Sequence, residues 1–169
     1  MPERQDFLQR LLDELRLALV QVGQFRAAGS HDAALATLLH GQERLFVRPA
    51  PEFMLLPVDE QVRLLVIGET DDAAREKCSL FANFLTEMAR TYEAKGQAAT
   101  ARGAYQLALH VLLVTAGRFP RTGADAELEA QIAALRRQVP ADQINPALQP
   151  LLARHDATRG QASGASGHS

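Results

Sequence analysis

Apolar side chains recur at three- and four-residue steps along most of the chain, which is the spacing of a helix with one buried face. From residue 5 to 28, Phe7, Leu8, Leu11, Leu12, Leu15, Leu19, Val22 and Phe25 form a wide apolar stripe. Leu17, Ala18 and Val20 carry it nearly all round, which predicts a helix buried on most sides. Gly29 ends this helix, and Ser30 with Asp32 starts the next, whose apolar positions are Ala34, Leu35, Leu38, Leu39 and Leu45. Pro49, Pro51 and Pro57 then forbid a long helix over residues 46–59. Phe53, Met54, Leu55 and Leu56 predict that this loop is packed down.

A short helix over residues 59–67 turns Val62, Leu65 and Val66 inward and closes at Gly68. Thr70, with Asp71 and Asp72 behind it, predicts a capped helix running to about Ala94. Gly96 breaks the pattern, and a second helix follows to about Gly117, which suits a left-handed C-cap ahead of Pro120. Asp125 can cap a helix to about Gln138 whose apolar side is Leu128, Ile132, Leu135 and Val139. Asn145 and Pro146 start a short helical turn. From His155 onward the chain is Gly, Ser, Ala and polar residues, and a flexible tail is expected.

Leu85, Met88, Ala89, Tyr92, Gly96, Ala101, Tyr105 and Ala108 place small and large residues at fixed steps on two helices joined by a tight turn. This stretch resembles a tetratricopeptide repeat, a helix–turn–helix unit of about 34 residues. It departs from the family at Leu113, where Pro is usual. Val22, Phe25, Gly29, Ala34, Leu38 and Gly41 repeat the positions from Ala89 to Ala108 in a degraded copy 67 residues earlier. No third copy lies between them, because Leu56, Gly68 and Arg75 would occupy the small positions and Arg63 the turn. The expectation is one all-α domain over residues 1–154, with six or seven helices. It comprises hairpins at about 15–48 and 82–115, a non-repeat insert at 49–81, capping helices at 124–154 and the tail at 155–169. Matching hairpins around such an insert also resemble small bacterial proteins built on this fold.

Composition agrees with helix. Trp is absent, aromatics make up 5% of the chain and apolar residues 47%. A net charge of −2 gives no electrostatic case for nucleic acid. No apolar run is long enough for a membrane span. The N-terminal stretch is broken by Glu3, Asp6, Asp13 and Glu14 and does not read as a signal peptide, and the single Cys78 favours a reducing compartment, so cytoplasmic is the expected location. Residues 49–81 carry a net −4 and residues 82–121 a net +3, so the two could face each other, although a solvated face is the simpler reading.

The search for chemistry returns little. His31, His40, His110, His155 and His168 lack partners at metal-ligand spacing. Cys78 lies mid-helix near Leu80 and Phe81, where a thiol serves as apolar filler. Glu69, Asp71, Asp72 and Glu76 are explained by the helix dipole, and no glycine run cradles phosphate. Neither an enzyme nor a cofactor is expected; the less favoured reading, an enzyme or small-ligand binder, would need a pocket gathering several of His40, Cys78, Arg90 and Tyr105.

The resemblance to tetratricopeptide arrays instead implies a groove lined by first helices. By position its residues would be Asn83, Glu87, Arg90 and Glu93, with Arg16 from the degraded copy. A carboxylate clamp is not reproduced, since Leu19, Val20 and Gly23 are uncharged and Glu87 would repel an acid. Leu19 and Val20 imply that this surface is covered, by residues 46–59 or by another chain. The partner expected is a protein or peptide. Surplus apolar residues on the first helix and at Leu107, Val111, Leu113 and Val114 raise a homodimer as the alternative.

Overall fold

The computed structural model of the chain describes residues 2–120 and 126–165. Seven α-helices and no strand are present among them: α1 (Pro2–Ala27), α2 (His31–Phe46), α3 (Val58–Val66), α4 (Asp71–Ala94), α5 (Ala98–Arg118), α6 (Ala126–Gln138) and α7 (Gln149–Ala165). The pairs α1/α2 and α4/α5 are antiparallel hairpins, and α2 and α1 both pack on α4. The α3 helix lies across α4 and α5, while α6 and α7 cover α5.

The two hairpins close through the same turn. Gly29 and Gly96 both have φ of +77°, a conformation that costs a residue with a Cβ far more. After each glycine the next N–H reaches back five residues, from Ser30 to the Phe25 carbonyl at 2.8 Å and from Gln97 to the Tyr92 carbonyl at 2.9 Å. The turn itself therefore repeats at a separation of 67 residues, along with the burial of Val22, Ala34 and Leu38 in one copy and Ala89, Ala101 and Tyr105 in the other. Ser30 holds the N-cap position without a side-chain hydrogen bond, so the glycine rather than the serine sets this turn.

The hairpins interlock at Gly41. A Cβ built there would stand 2.4 Å from the Phe84 ring, and Phe84 is fully buried. Only a residue without a side chain lets α2 approach α4 so closely. Beside this contact, Phe46 stacks on Phe53 with ring centroids 4.1 Å apart and meets Phe81 edge-on at 5.0 Å. This aromatic group fastens the insert to the back of the hairpins. Gln61 assists by donating to the Phe53 carbonyl at 3.0 Å.

The insert differs from the sequence expectation in detail. Phe53 is buried, whereas Leu55 is 92% exposed, because only one side of so short a loop can face the core. The chain enters it through Val47, which takes φ of +54° as the C-cap of α2. A β-branched residue is strained there. The conformation is held by the Glu43 carboxylate, which accepts from the Ala50 N–H at 2.9 Å, and by the Phe46–Phe53 stack beyond it. At the start of α4 the expected cap is present, with Thr70 Oγ1 accepting from the Ala73 N–H at 3.2 Å.

Three other expectations change. Leu17 and Val20 are 70% and 61% exposed, so α1 is not buried on most sides. Helix α5 runs through Gly117 and is capped by Phe119, whose N–H bonds the Thr115 carbonyl. Residues 155–165 continue α7 as helix. Asp156 pairs with Arg136, and His155 and Arg159 both reach Glu129 of α6, at 3.1 and 3.2 Å. The composition of that stretch did not reveal partners 20 to 30 residues away. Asp125, the expected cap of α6, lies outside the described residues.

Replacing Gly41 by Ala should cost about 1–3 kcal/mol of unfolding free energy, although Ala is the better helix former. Val47→Gly should stabilise the fold by about 1 kcal/mol, because it relieves the left-handed strain and the valine side chain is exposed. Urea unfolding of both variants checks these two signs.

Candidate groove along α4

Polar residues recur at three- and four-residue steps down one side of α4: Asp72, Arg75, Glu76, Ser79, Asn83, Thr86, Glu87 and Arg90. That stripe forms the floor of a groove between α1 and α6. Two chambers open along it, of about 440 and 230 Å³. Asn83 and Gln131 line both. These two side chains form the partition, with Gln131 Nε2 donating to Asn83 Oδ1 at 2.9 Å. Ser79 Oγ completes the chain by donating to Gln131 Oε1 at 2.9 Å.

The larger chamber gathers Arg16 of α1, Asp72, Arg75 and Glu76 of α4 and Glu127 of α6. Two bases thus face three acids. Arg75 is held in place by the Phe119 carbonyl at 3.1 Å and by Asp72. Arg16 pairs with Asp13 at 2.9 Å and reaches Glu76 at 3.6 Å. The smaller chamber is more amphipathic: Leu19, Leu112 and Leu135 supply apolar wall, and Thr86, Tyr105 and Gln138 the polar positions.

At this end Glu87 is shared between Arg26 of α1, at 2.7 Å, and Arg90 on its own helix, at 2.5 Å. Its charge is therefore compensated twice over, and the repulsion expected from the sequence is removed. Arg26 was not among the residues expected, since its reach to Glu87 depends on the α1/α4 packing.

Asn83, Glu87 and Arg90 of α4 and Arg16 of α1 line the two chambers. Glu93 does not. It is exposed one turn beyond and accepts the Tyr105 hydroxyl at 2.8 Å, so it fixes Tyr105 rather than lining the groove. The groove is also not plugged by residues 46–59, whose Phe46 and Phe53 stack on each other and meet Phe81 on the opposite side of α4. Its far wall is α6. Gln131 and Gln138 were missed because an isolated polar helix gives no sign of what it faces. Ser79 and Arg75 could have been found from the polar period of α4. Leu19 lines the smaller chamber, whereas Val20 turns to the outer face of α1.

Burial disfavours the charged forms of Cys78, Tyr105 and His110. Burial pushes the Cys78 thiol from 9.0 up to about 11, against a weaker opposing pull from Thr115 and Lys77. Burial, then the hydrogen bond to Glu93, raises the Tyr105 phenol to about 12. Burial lowers His110 and favours its neutral form, with Asp59 opposing. Among the described residues no group of three His, Cys, Asp or Glu is placed to hold a metal ion, and no helix is long and apolar enough to cross a membrane. The arrangement is suited to hydrogen bonding and to charge pairing at its two ends. No protein-family model, curated protein or solved structure matches the chain.

Cys78 and Tyr105 both hold their protons more tightly when folded. Their stabilisation is complete below the unfolded values of 9.0 and 10.0 and is lost as pH rises towards about 11 and 12. Urea midpoints should therefore hold steady up to about pH 9 and fall beyond it, and Cys78→Ala should flatten the first part of the fall. At pH 8 the Cys78 thiol should react with a disulfide reagent only once the protein is unfolded.

Proposed function

We propose that the protein is a non-catalytic interaction module, a short tetratricopeptide-like array that binds an extended peptide segment in the groove along α4. The observation that carries this reading is the continuous polar stripe from Asp72 to Arg90, walled on both sides yet open between α1 and α6. The repeated glycine turn of the two hairpins supports the array. At about 1.5 Å per residue the stripe spans roughly 27 Å, the length of about eight extended residues. Such a segment would lie over the Asn83–Gln131 partition and put side chains into the chamber on either side. Mixed charge in both chambers favours a polar segment without a strong charge of one sign. A single, buried thiol is compatible with a cytoplasmic setting.

Selection from a displayed library of random peptides tests this directly. Enriched peptides should bind at least about tenfold more weakly to Arg16→Ala and Arg90→Ala, and as before to Arg63→Ala, a charge removed from α3 outside the groove. Failure to enrich any peptide, or binding indifferent to the first two changes, rejects the reading.

A second reading, self-association, is favoured by one observation. Leu17 and Val20 stand exposed beside Ala18 and Ala36 on the outer face of α1 and α2. Of the surplus on α5, Val111 and Leu113 are buried within the chain and Leu107 and Val114 are half-buried. Under this reading the protein sediments as a dimer and Leu17→Glu yields monomer. A wild-type monomer at high concentration removes it.

A further inference from the structure

The two chambers of the α4 groove differ in chemistry. In the larger, Arg75 is taken up by Asp72 and the Phe119 carbonyl. Three charged side chains remain, one from each helix around the chamber: Arg16 of α1, Glu76 of α4 and Glu127 of α6. Arg16 and Glu76 stand 3.6 Å apart, longer than a charge-assisted hydrogen bond, and each is about half exposed. Glu127 makes no ion pair among the described residues. A cation entering here is opposed by Arg16, and an anion by two carboxylates. A side-chain amide meets neither penalty, because its NH2 group donates to a carboxylate while its oxygen accepts from a guanidinium.

The smaller chamber has Leu19, Leu112 and Leu135 as walls, and its Glu87 and Arg90 are already paired. At about 230 Å³ it is larger than the roughly 150 Å³ that holds benzene, so a Leu, Met or Phe side chain fits. Between the chambers Asn83 Oδ1 is engaged by Gln131, which leaves Asn83 Nδ2 to donate to a peptide carbonyl. Along the helix axis, Ser79 and Glu87 are about 12 Å apart and Glu76 and Thr86 about 15 Å. An extended chain covers that distance in about four residues, and residues four apart point to the same side.

We infer that the groove selects a segment with Gln or Asn in the larger chamber and Leu, Met or Phe four positions away in the smaller. The inference rests on the peptide-binding function proposed for this groove and adds the side chains it accepts.

A displayed library of random nonapeptides, selected on the full chain, is the probe. Enriched sequences should align on an amide residue four positions from an apolar one. In the best of them, replacing the amide residue by Met, Glu or Lys should each weaken binding at least about tenfold, the worth of hydrogen bonds to charged partners. Glu127→Ala should weaken the amide peptide about fivefold or more and leave its Met analogue unchanged. Ala134→Leu, which fills the smaller chamber from a half-buried position on α6, should weaken the peptide at least about tenfold. Enriched peptides that depend on Arg16 and Arg90 but lack the spaced pair overturn this inference and leave the groove reading standing. So do a Lys or Glu analogue that binds as tightly as the amide and a peptide indifferent to Ala134→Leu. Failure to enrich any peptide rejects both.

Discussion

The close approach of α2 to α4 at Gly41 and Phe84 sets the rest of the structure. With no Cβ on Gly41 the Phe84 ring occupies the space where a side chain would stand, and α2 packs directly on α4. That packing decides which side of α4 faces inward. Phe81, Phe84 and Leu85 turn to the core, and the polar stripe from Asp72 to Arg90 is left between α1 and α6. Moving the contact outward by the width of a methyl group would draw Phe46 of α2 away from Phe81 of α4. The groove and the insert are thus positioned by the same packing event.

The insert gives the domain two unlike faces. On one, α3 and the Phe53 loop are clamped to the hairpins by aromatic stacking and by the Gln61 amide. On the other, the side chains are polar and hydrogen-bonded across a gap between helices. Under the proposed peptide-binding function this gives rigid support behind an open polar surface, since the floor of the groove cannot move without disturbing the core.

Helix existence and most boundaries were legible in the sequence, because period, glycine breaks and the Thr70 cap act locally. Residues 71–94 were read to the residue for that reason. The burial of Cys78 also followed from helix position alone. Three things were not legible. The left-handed Val47 carries no local signal, since its strain is offset by Glu43 and Phe53 through tertiary contacts. The side on which residues 46–59 pack depends on the Phe46 stack, not on their own apolarity. The helical course of residues 155–165 depends on Glu129 and Arg136, far off in sequence. Of the groove, the α4 contribution could be read and the α6 wall could not, because a period names the residues that share a face but not the element opposite.

Under the proposed peptide binding, Glu87 has a consequence for selectivity. One carboxylate serves two guanidinium groups, from different helices, at the mouth of the smaller chamber. An acidic group arriving at Arg90 does not gain an ion pair outright; it takes over one that already exists. Arrival is then an exchange, in which Glu87 keeps Arg26 and yields Arg90, and the number of paired charges is nearly conserved. Attraction between opposite charges largely cancels in such an exchange. Discrimination passes to the terms that do not cancel, which are the fit of an apolar side chain against Leu19, Leu112 and Leu135 and the hydrogen bonds offered along the Asn83–Gln131 partition.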